Sequence, residues 1–88
     1  MYFVLQYSSV QVHSSARRHG ITDDDSLHAV EHSMAIEHIG EDPDRWLVIG
    51  PDRAANLLEV VVLVTAEGDE MLIHAMPLRA TYRKLLEP

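Results

Sequence analysis

The sequence contains no cysteine, and its 88 residues include only one tryptophan and one phenylalanine. Without cysteine, disulfide bridges and thiolate metal sites are excluded. No apolar run approaches the roughly 20 residues that a membrane-spanning helix needs. The opening residues also lack the basic segment and the small-residue cleavage site of a secretory signal. We therefore expect a cytoplasmic protein that does not enter the membrane.

Basic residues are also few, since seven Lys and Arg stand against fourteen Asp and Glu and the formal net charge is −7. This balance argues against strong sequence-independent binding to nucleic acid, which depends on basic groups that neutralise phosphates. The basic residues fall into three groups along the chain, so folding can still gather them into one small patch. The length and the 47% hydrophobic content predict a single globular domain spanning residues 1–88.

The first part of the chain predicts two helices. One runs from residue 8 or 9 to residue 19 and ends at Gly20, which favours the left-handed conformation that stops a helix. The other begins after Thr22, a good N-cap, and its apolar residues keep helical spacing as far as Met34. Residues 2–7 form either a short edge strand or a leader.

The rest of the chain predicts three antiparallel strands followed by a short helix. The strands are Arg45–Gly50, Leu57–Thr65 and Glu70–Met76. β-Branched residues dominate the middle strand, and Glu67-Gly68-Asp69 marks a tight hairpin. Pro77 ends the last strand, and Arg79–Leu86 form the helix. We expect an α+β fold in which a three-stranded sheet, with a possible fourth N-terminal strand, carries two N-terminal helices and one C-terminal helix on one face.

Hairpin pairing predicts which side chains share a face of this sheet. The expected register pairs Thr65 with Glu70 and Gly50 with Leu57. On this register Glu59 lies on the face away from the helices, diagonally beside His74. The face toward the helices is wholly apolar and includes Leu58, Val60 and Val62. We expect those three side chains to be buried and Glu59 to be at least partly exposed.

The face that carries Glu59 also holds enough apolar surface to predict an interface. Its apolar members are Trp46, Val61, Leu63, Leu72 and Met76. One layer of helices covers only one side of a sheet, and an exposed apolar patch of this kind usually marks an interface. We therefore expect either a homo-oligomer or a complex with another protein.

Glu59 and His74 are the first candidates for chemistry. A carboxylate beside an imidazole orients the ring for proton transfer near neutral pH. A structural ion pair on a half-exposed face fits the same two residues. Arg79, Tyr82 and Arg83 follow i, i+3 and i+4 spacing on the last helix, so they share one face. That face can hold a phosphate and stack on a base, or it can bind acidic side chains of a partner.

The other clusters of polar residues are weaker evidence for a functional site. His28 and His32 stand four residues apart, a spacing that suits one metal ion but is more often found in exposed helix residues. Arg17, Arg18 and His19 complement the dipole at the end of the first helix. The chain has no glycine-rich phosphate loop and no serine with a base placed to activate it, so covalent catalysis is poorly supported and no cofactor is expected.

Four short segments occur in an order that is typical of one family. They are Arg18-His19-Gly20-Ile21, Leu47-Val48-Ile49-Gly50, Leu57–Val62 and Ile73–Arg79. In that order they resemble the BrnT-like toxins of type II toxin–antitoxin systems, over about residues 9–86. The resemblance implies a RelE-like fold, cleavage of mRNA or another block of translation, and a co-encoded antitoxin, often a ribbon-helix-helix DNA-binding protein.

The resemblance also implies where the chemistry lies. BrnT-like toxins use basic and polar groups on the exposed sheet face and the last helix. They need no metal, because the RNA 2′-hydroxyl is the nucleophile. Arg79 matches the basic residue of the family's closing Ser-Ala-Arg-Lys/Arg stretch, whereas Met76 and Leu78 stand where the family has Ser and Arg.

The leading hypothesis is therefore a toxin-like, metal-independent endoribonuclease that inhibits translation. Its catalytic residues are Glu59 and His74, which transfer protons, and Arg79, which binds phosphate. The expected substrate-binding residues are Arg53, Tyr82 and Arg83. The alternative is a catalytically degenerate, toxin-like module that only binds a partner protein.

Overall fold

Five strands form one mixed sheet in the computed structural model, which describes residues 10–87. The strands are β1 (Val10–Val12), β2 (Ala35–Gly40), β3 (Asp44–Pro51), β4 (Leu57–Val64) and β5 (Glu70–Pro77). Their order across the sheet is β1-β5-β4-β3-β2. β1 runs parallel to β5, and the other neighbours are antiparallel. Strands β2 to β5 thus form a meander, and β1 extends the sheet next to β5.

The helical segments are short. They are a 3₁₀ helix at Ser14–Arg17, α1 at Asp23–Glu31, α2 at Ala80–Arg83 and a 3₁₀ turn at Lys84–Leu86. Thr22 caps α1 because its hydroxyl accepts a hydrogen bond from the Asp25 backbone N–H at 3.2 Å. The three aspartates in the first turn of α1 stabilise the helix, because their negative charges lie at the positive end of the helix dipole. No helix within residues 10–87 is long and apolar enough to cross a membrane.

The predicted α+β fold, with two N-terminal helices on a three-stranded sheet, is wrong. Most of the segment predicted as the first helix is β1 and a 3₁₀ helix, and the second helix ends at Glu31 and is soon followed by β2. Pairing with distant strands overrides local helix preference here, since the His13 N–H donates to the Leu72 carbonyl and the Met34 N–H donates to the Ile49 carbonyl. The three predicted strands and the C-terminal helical segment are present. The predictions for residues 2–9 lie outside the described residues.

The main core lies between the sheet and α1. Its buried members are Val10, Ala16, Ala29, Val30, Val48, Leu58, Val60, Val62, Leu72 and Ala75. The prediction that Leu58, Val60 and Val62 are buried against the helical layer is confirmed. At Gly50 in β3, the α1 backbone comes so close that an added Cβ would collide with the carbonyl group of Ala29. The close packing of α1 against β3 therefore requires glycine at position 50.

The register between β3 and β4 differs from the prediction by one residue. Gly50 pairs with Leu58 because the turn at residues 52–56 is held by the Asp52 carboxylate, which accepts hydrogen bonds from the N–H groups of Ala54 and Asn56. A shift of one residue exchanges the two faces of β3 relative to β4. Trp46 and Val48 accordingly share the core face of the sheet with Val60 and Val62, and not the face of Glu59.

The predicted exposed apolar patch is therefore wrong. Trp46 is 8% exposed, Leu72 is fully buried in the core, and Val61, Leu63 and Met76 are half-buried. The large apolar side chains that are exposed in the described chain are instead Met34, Ile36 and Ile39, which lie in or next to β2. Within residues 10–87 the most exposed large apolar side chains thus lie at the β2 edge of the sheet.

Candidate functional site

A buried carboxylate forms the centre of the candidate site. Glu59 lies in β4 between Leu58 and Val60, which face α1, so its side chain projects from the other side of the sheet. Its exposed fraction is 0%, and the prediction of partial exposure is wrong. A carboxylate withdrawn from water in this way needs charged or hydrogen-bonding partners.

Arg79 supplies most of those partners. Its backbone N–H and its Nε donate to Oε1 of Glu59 at 3.0 Å and 2.9 Å, and its Nη2 donates to Oε2 at 2.7 Å. The Leu78 N–H donates to the Leu57 carbonyl, which holds the chain beside β4 just after β5 ends. The Arg79 side chain remains 51% exposed. The guanidinium therefore pairs with a buried anion on one side and faces solvent on the other.

His74 binds the same carboxylate. Its Nε2 lies 3.2 Å from Oε2 of Glu59, and the side chain is 28% exposed. An ionised carboxylate only accepts hydrogen bonds, so Nε2 carries the proton and Nδ1 of the neutral ring keeps its lone pair. A register shift between Val61 and Val62 places His74 opposite Val61, two residues from Glu59. The prediction that Glu59 and His74 are neighbours is confirmed.

The hydrogen bonds decide the ionisation of Glu59. Burial raises the pKa of Glu59, but hydrogen bonds from the Arg79 side chain and backbone and from His74 outweigh burial and hold this pKa below its usual value. Glu59 is therefore a carboxylate at neutral pH and orients its two partners. Of the two residues expected to transfer protons, only His74 has a geometry suited to that role.

His19 is a member of the site that the sequence analysis missed. Its ring centroid lies 5.7 Å from that of His74, with the two planes at 77°. The 3₁₀ helix before it packs along β5, where the Ser15 hydroxyl donates to the Ile73 carbonyl at 2.7 Å. The sequence pattern predicts His19 at the end of a long helix. No local pattern signals its contact with a residue in β5.

Tyr82, Arg83 and Arg53 occupy different positions. The Arg79 guanidinium carbon lies 5.4 Å from the centroid of the Tyr82 ring, so Tyr82 belongs to the site. Arg83 is exposed on the same short helix. Arg53 lies in the β3–β4 turn, where its backbone N–H and Nε donate to Oδ1 of Asp25 at 3.0 Å and 2.8 Å. Arg53 therefore fixes the start of α1, and the structure does not bring it into contact with Glu59.

His28 in α1 and His32 directly after it are not arranged as a metal site. Their rings stack at a centroid distance of 4.3 Å, and Nδ1 of His28 lies 2.8 Å from the Pro51 carbonyl oxygen. Within residues 10–87, no group of three or more His, Asp or Glu side chains is placed to hold a metal ion. What the site does offer is an oriented imidazole, a second imidazole, a guanidinium and a phenol ring.

These groups suit a phosphodiester, because an imidazole can move a proton while a guanidinium binds phosphate and an aromatic ring stacks on a base. The arrangement centres on Glu59, His74 and Arg79, and it lies on the side of the sheet opposite α1. Comparison of the chain with protein-family models, with curated proteins and with solved structures found no match, so the site is interpreted from its own geometry.

Proposed function

We propose that this protein is the toxin component of a bacterial toxin–antitoxin pair and that it cleaves RNA without a metal ion. The observation that carries this proposal is the contact of His74 with an ionised, buried Glu59 that also binds Arg79. The carboxylate fixes the tautomer of the imidazole, and the guanidinium places a positive charge beside it. The resemblance of the sequence to BrnT-like toxins supports the same function.

Each residue has a defined task in this mechanism. His74 accepts the proton of a ribose 2′-hydroxyl through Nδ1, and the 2′-oxygen then attacks the adjacent phosphorus. The solvent-facing part of the Arg79 guanidinium stabilises the negative charge that builds up on the phosphate oxygens. Tyr82 stacks on a neighbouring base. The nucleophile belongs to the substrate, so the reaction requires no metal-bound water.

The setting proposed for this activity is the bacterial cytoplasm, with a co-encoded antitoxin that suppresses it. A net charge of −7 makes the affinity for RNA in general low. Recognition therefore depends on the few cations at the site and on contacts with unpaired bases. A neighbouring gene that encodes a ribbon-helix-helix protein would identify the antitoxin.

Substitution of His74 tests the chemistry. The purified protein, incubated with a 20-nucleotide unstructured RNA and EDTA, is expected to leave 2′,3′-cyclic phosphate ends. We expect His74→Ala to lower the cleavage rate at least about 100-fold, because acid–base groups contribute roughly 10²–10⁴-fold. His32→Ala, at an exposed position just after α1, is the matched control and is expected to retain full activity.

The same variants give a test in cells. Induction of the wild-type protein without its antitoxin is expected to arrest growth and shorten mRNAs, and His74→Ala is expected to relieve both effects while remaining folded. Normal growth and intact RNA, with the wild-type protein recovered in soluble form, would contradict the ribonuclease and favour a module that only binds protein.

The β2 edge specifically favours this second candidate function. β2 is the last strand on its side of the sheet in the described chain, and its outer edge is available to pair with a strand of another protein. Ile36 and Ile39 are 39% and 46% exposed there.

If the protein acts through this edge, Ile36→Asp is expected to weaken binding to the co-encoded antitoxin at least about tenfold, because a charge replaces an apolar contact that the complex would bury. Calorimetry measures this change. His74→Ala is the control, and equal loss in both variants would exclude the edge as the specific contact.

A further inference from the structure

The imidazole of His19 lies beside that of His74 in β5. The ring centroids of His19 and His74 are 5.7 Å apart and the rings are nearly perpendicular. His19 is exposed, whereas His74 is largely buried against Glu59. Two imidazoles at this separation can both contact one small group.

The backbone around His19 is anchored at both ends. Before it, the His13 N–H donates to the Leu72 carbonyl and the Ser15 hydroxyl donates to the Ile73 carbonyl, which fastens the 3₁₀ helix to β5. Around it, Arg17 forms a two-pronged ion pair with Asp23, with both N···O distances at 2.9 Å. The chain between these two residues is therefore a closed loop, and it holds His19 beside His74.

The left-handed turn at Gly20 completes this loop. Its φ of +79° lies in the region that favours glycine, and its N–H donates to the Arg17 carbonyl at 3.1 Å. The chain thus reverses immediately after His19 and runs on to α1. This loop therefore fixes the position of His19. His19 does not lie on an exposed surface helix.

The proposed cleavage requires a proton donor as well as a base. The attacking 2′-oxygen and the leaving 5′-oxygen lie roughly in line on opposite sides of the phosphorus. His74, with its proton fixed on Nε2 by Glu59, offers a lone pair and suits the base. His19 lies beside His74 and is exposed to solvent, and an imidazolium at this position can donate a proton to a leaving oxygen. One imidazole cannot take and give a proton in the same step, and the second supplies the missing function.

Resting on the function proposed above, we propose that His19 is the general acid of a two-histidine catalytic centre. Nδ1 of His74 takes the 2′-hydroxyl proton, and the 2′-oxygen forms a bond to phosphorus. The bond from phosphorus to the 5′-oxygen breaks, its electron pair stays on that oxygen, and the His19 imidazolium protonates it. The products are a 2′,3′-cyclic phosphate and a 5′-hydroxyl. Solvent then returns a proton to His19 and removes one from His74.

Two substrates with different leaving groups test this assignment. Uridylyl-3′,5′-uridine has a poor leaving group that needs a proton, whereas the p-nitrophenyl ester of uridine 3′-phosphate releases a stable phenolate without one. We expect His19→Ala to cleave the dinucleotide at least about 100-fold more slowly than wild type, yet to cleave the nitrophenyl ester within about fivefold of the wild-type rate. His74→Ala is expected to be slow on both, and His32→Ala is the control.

The pH dependence gives a second readout. The wild-type rate on the dinucleotide is expected to follow a bell-shaped profile, and His19→Ala is expected to lose the alkaline limb that a required acid produces. His19→Gln, which keeps a polar side chain, repeats the comparison if the alanine variant folds poorly.

Three results would overturn the assignment, and they can be told apart. Full activity of His19→Ala on the dinucleotide removes His19 from the chemistry but leaves the ribonuclease in place. Equal slowing on both substrates makes His19 a positioning residue, again with the ribonuclease intact. A folded wild-type protein that cleaves neither substrate overturns the proposed function itself, and the assignment of His19 with it.

Discussion

Replacing Glu59 by glutamine is expected to lower the free energy of unfolding at pH 7 by about 3 kcal/mol, at the lower end of the range for removing one partner of a buried ion pair. Glu59 is completely buried and accepts four hydrogen bonds from Arg79 and His74. An amide of the same size turns two N–H donors toward groups that are themselves donors. The loss stays at the lower end because Arg79 is half exposed, so water can solvate its unpaired charge.

The loss of stability caused by Glu59→Gln is expected to depend on pH. The pKa of Glu59 in the folded protein lies below its usual value of 4.5, so its stabilising effect is complete above that value and is lost as the pH falls through the folded-state pKa. The difference between wild type and Glu59→Gln should therefore shrink in acid. Asp23 and Asp25 also have lowered pKa values, mainly through side-chain hydrogen bonds from Arg17 and Arg53. Those two residues are present in both proteins, so their effects cancel in the difference.

Urea unfolding of both proteins between pH 2 and pH 7 measures this effect. Glu67→Gln removes the same charge from an exposed turn position and is expected to change stability by less than about 0.5 kcal/mol. A difference between wild type and Glu59→Gln that stayed constant across the whole pH range would contradict the role given to the ionised carboxylate.

Gly50→Ala is also expected to cost about 3 kcal/mol, the upper end of the range usual for overpacking a core. The new methyl group would collide with the Ala29 carbonyl oxygen and lie 2.9 Å from the carbonyl carbon of the same residue. Both atoms belong to the backbone of α1, which cannot move aside by rotating a side chain. α1 must therefore shift away from β3 and open the core beneath it.

Gly40→Ala provides the matched control. It makes the same substitution in a strand, but the atoms nearest to the added methyl group belong to the guanidinium of Arg45, which it would displace. A flexible guanidinium can swing away, and alanine is intrinsically better than glycine inside a strand by roughly 0.5–1 kcal/mol. We expect a change below about 1 kcal/mol in urea unfolding. Equal losses at the two positions would show that contact between α1 and β3 is not the limiting feature.

The parts of the fold that the sequence predicts correctly are encoded locally. The β-branched residues of β4, the hairpin signal before β5 and the N-cap at Thr22 each act within a few neighbouring residues. The neighbouring positions of Glu59 and His74 were also predicted correctly. The bulge in β5 compensates a one-residue difference at the hairpin end, where Val64 and not Thr65 pairs with Glu70.

The parts that the sequence analysis missed depend on distant contacts. Ile36 and Ile39 are three residues apart, which looks helical, but hydrogen bonds to β3 make their segment a strand. The Asp52 turn shifts the register of β3 through contacts that hydrophobic alternation does not record. The position of His19 requires knowledge of where the chain before α1 returns to β5. Propensity and periodicity carry no information about that return.

The parallel pairing of β1 with β5 has a consequence for the order of folding. The strands of the meander contact their neighbours in sequence, whereas Val10 pairs with Glu70 only after most of the described chain has been brought into one loop. Because closing a long loop costs more entropy than closing a hairpin, the meander forms first and the segment from β1 to His19 docks last. We therefore expect His19 to join Glu59, His74 and Arg79 only when this segment docks. Amide protons of β1 should exchange with solvent ahead of those in β4, and a nascent chain acquires the complete two-histidine centre only at its final folding step.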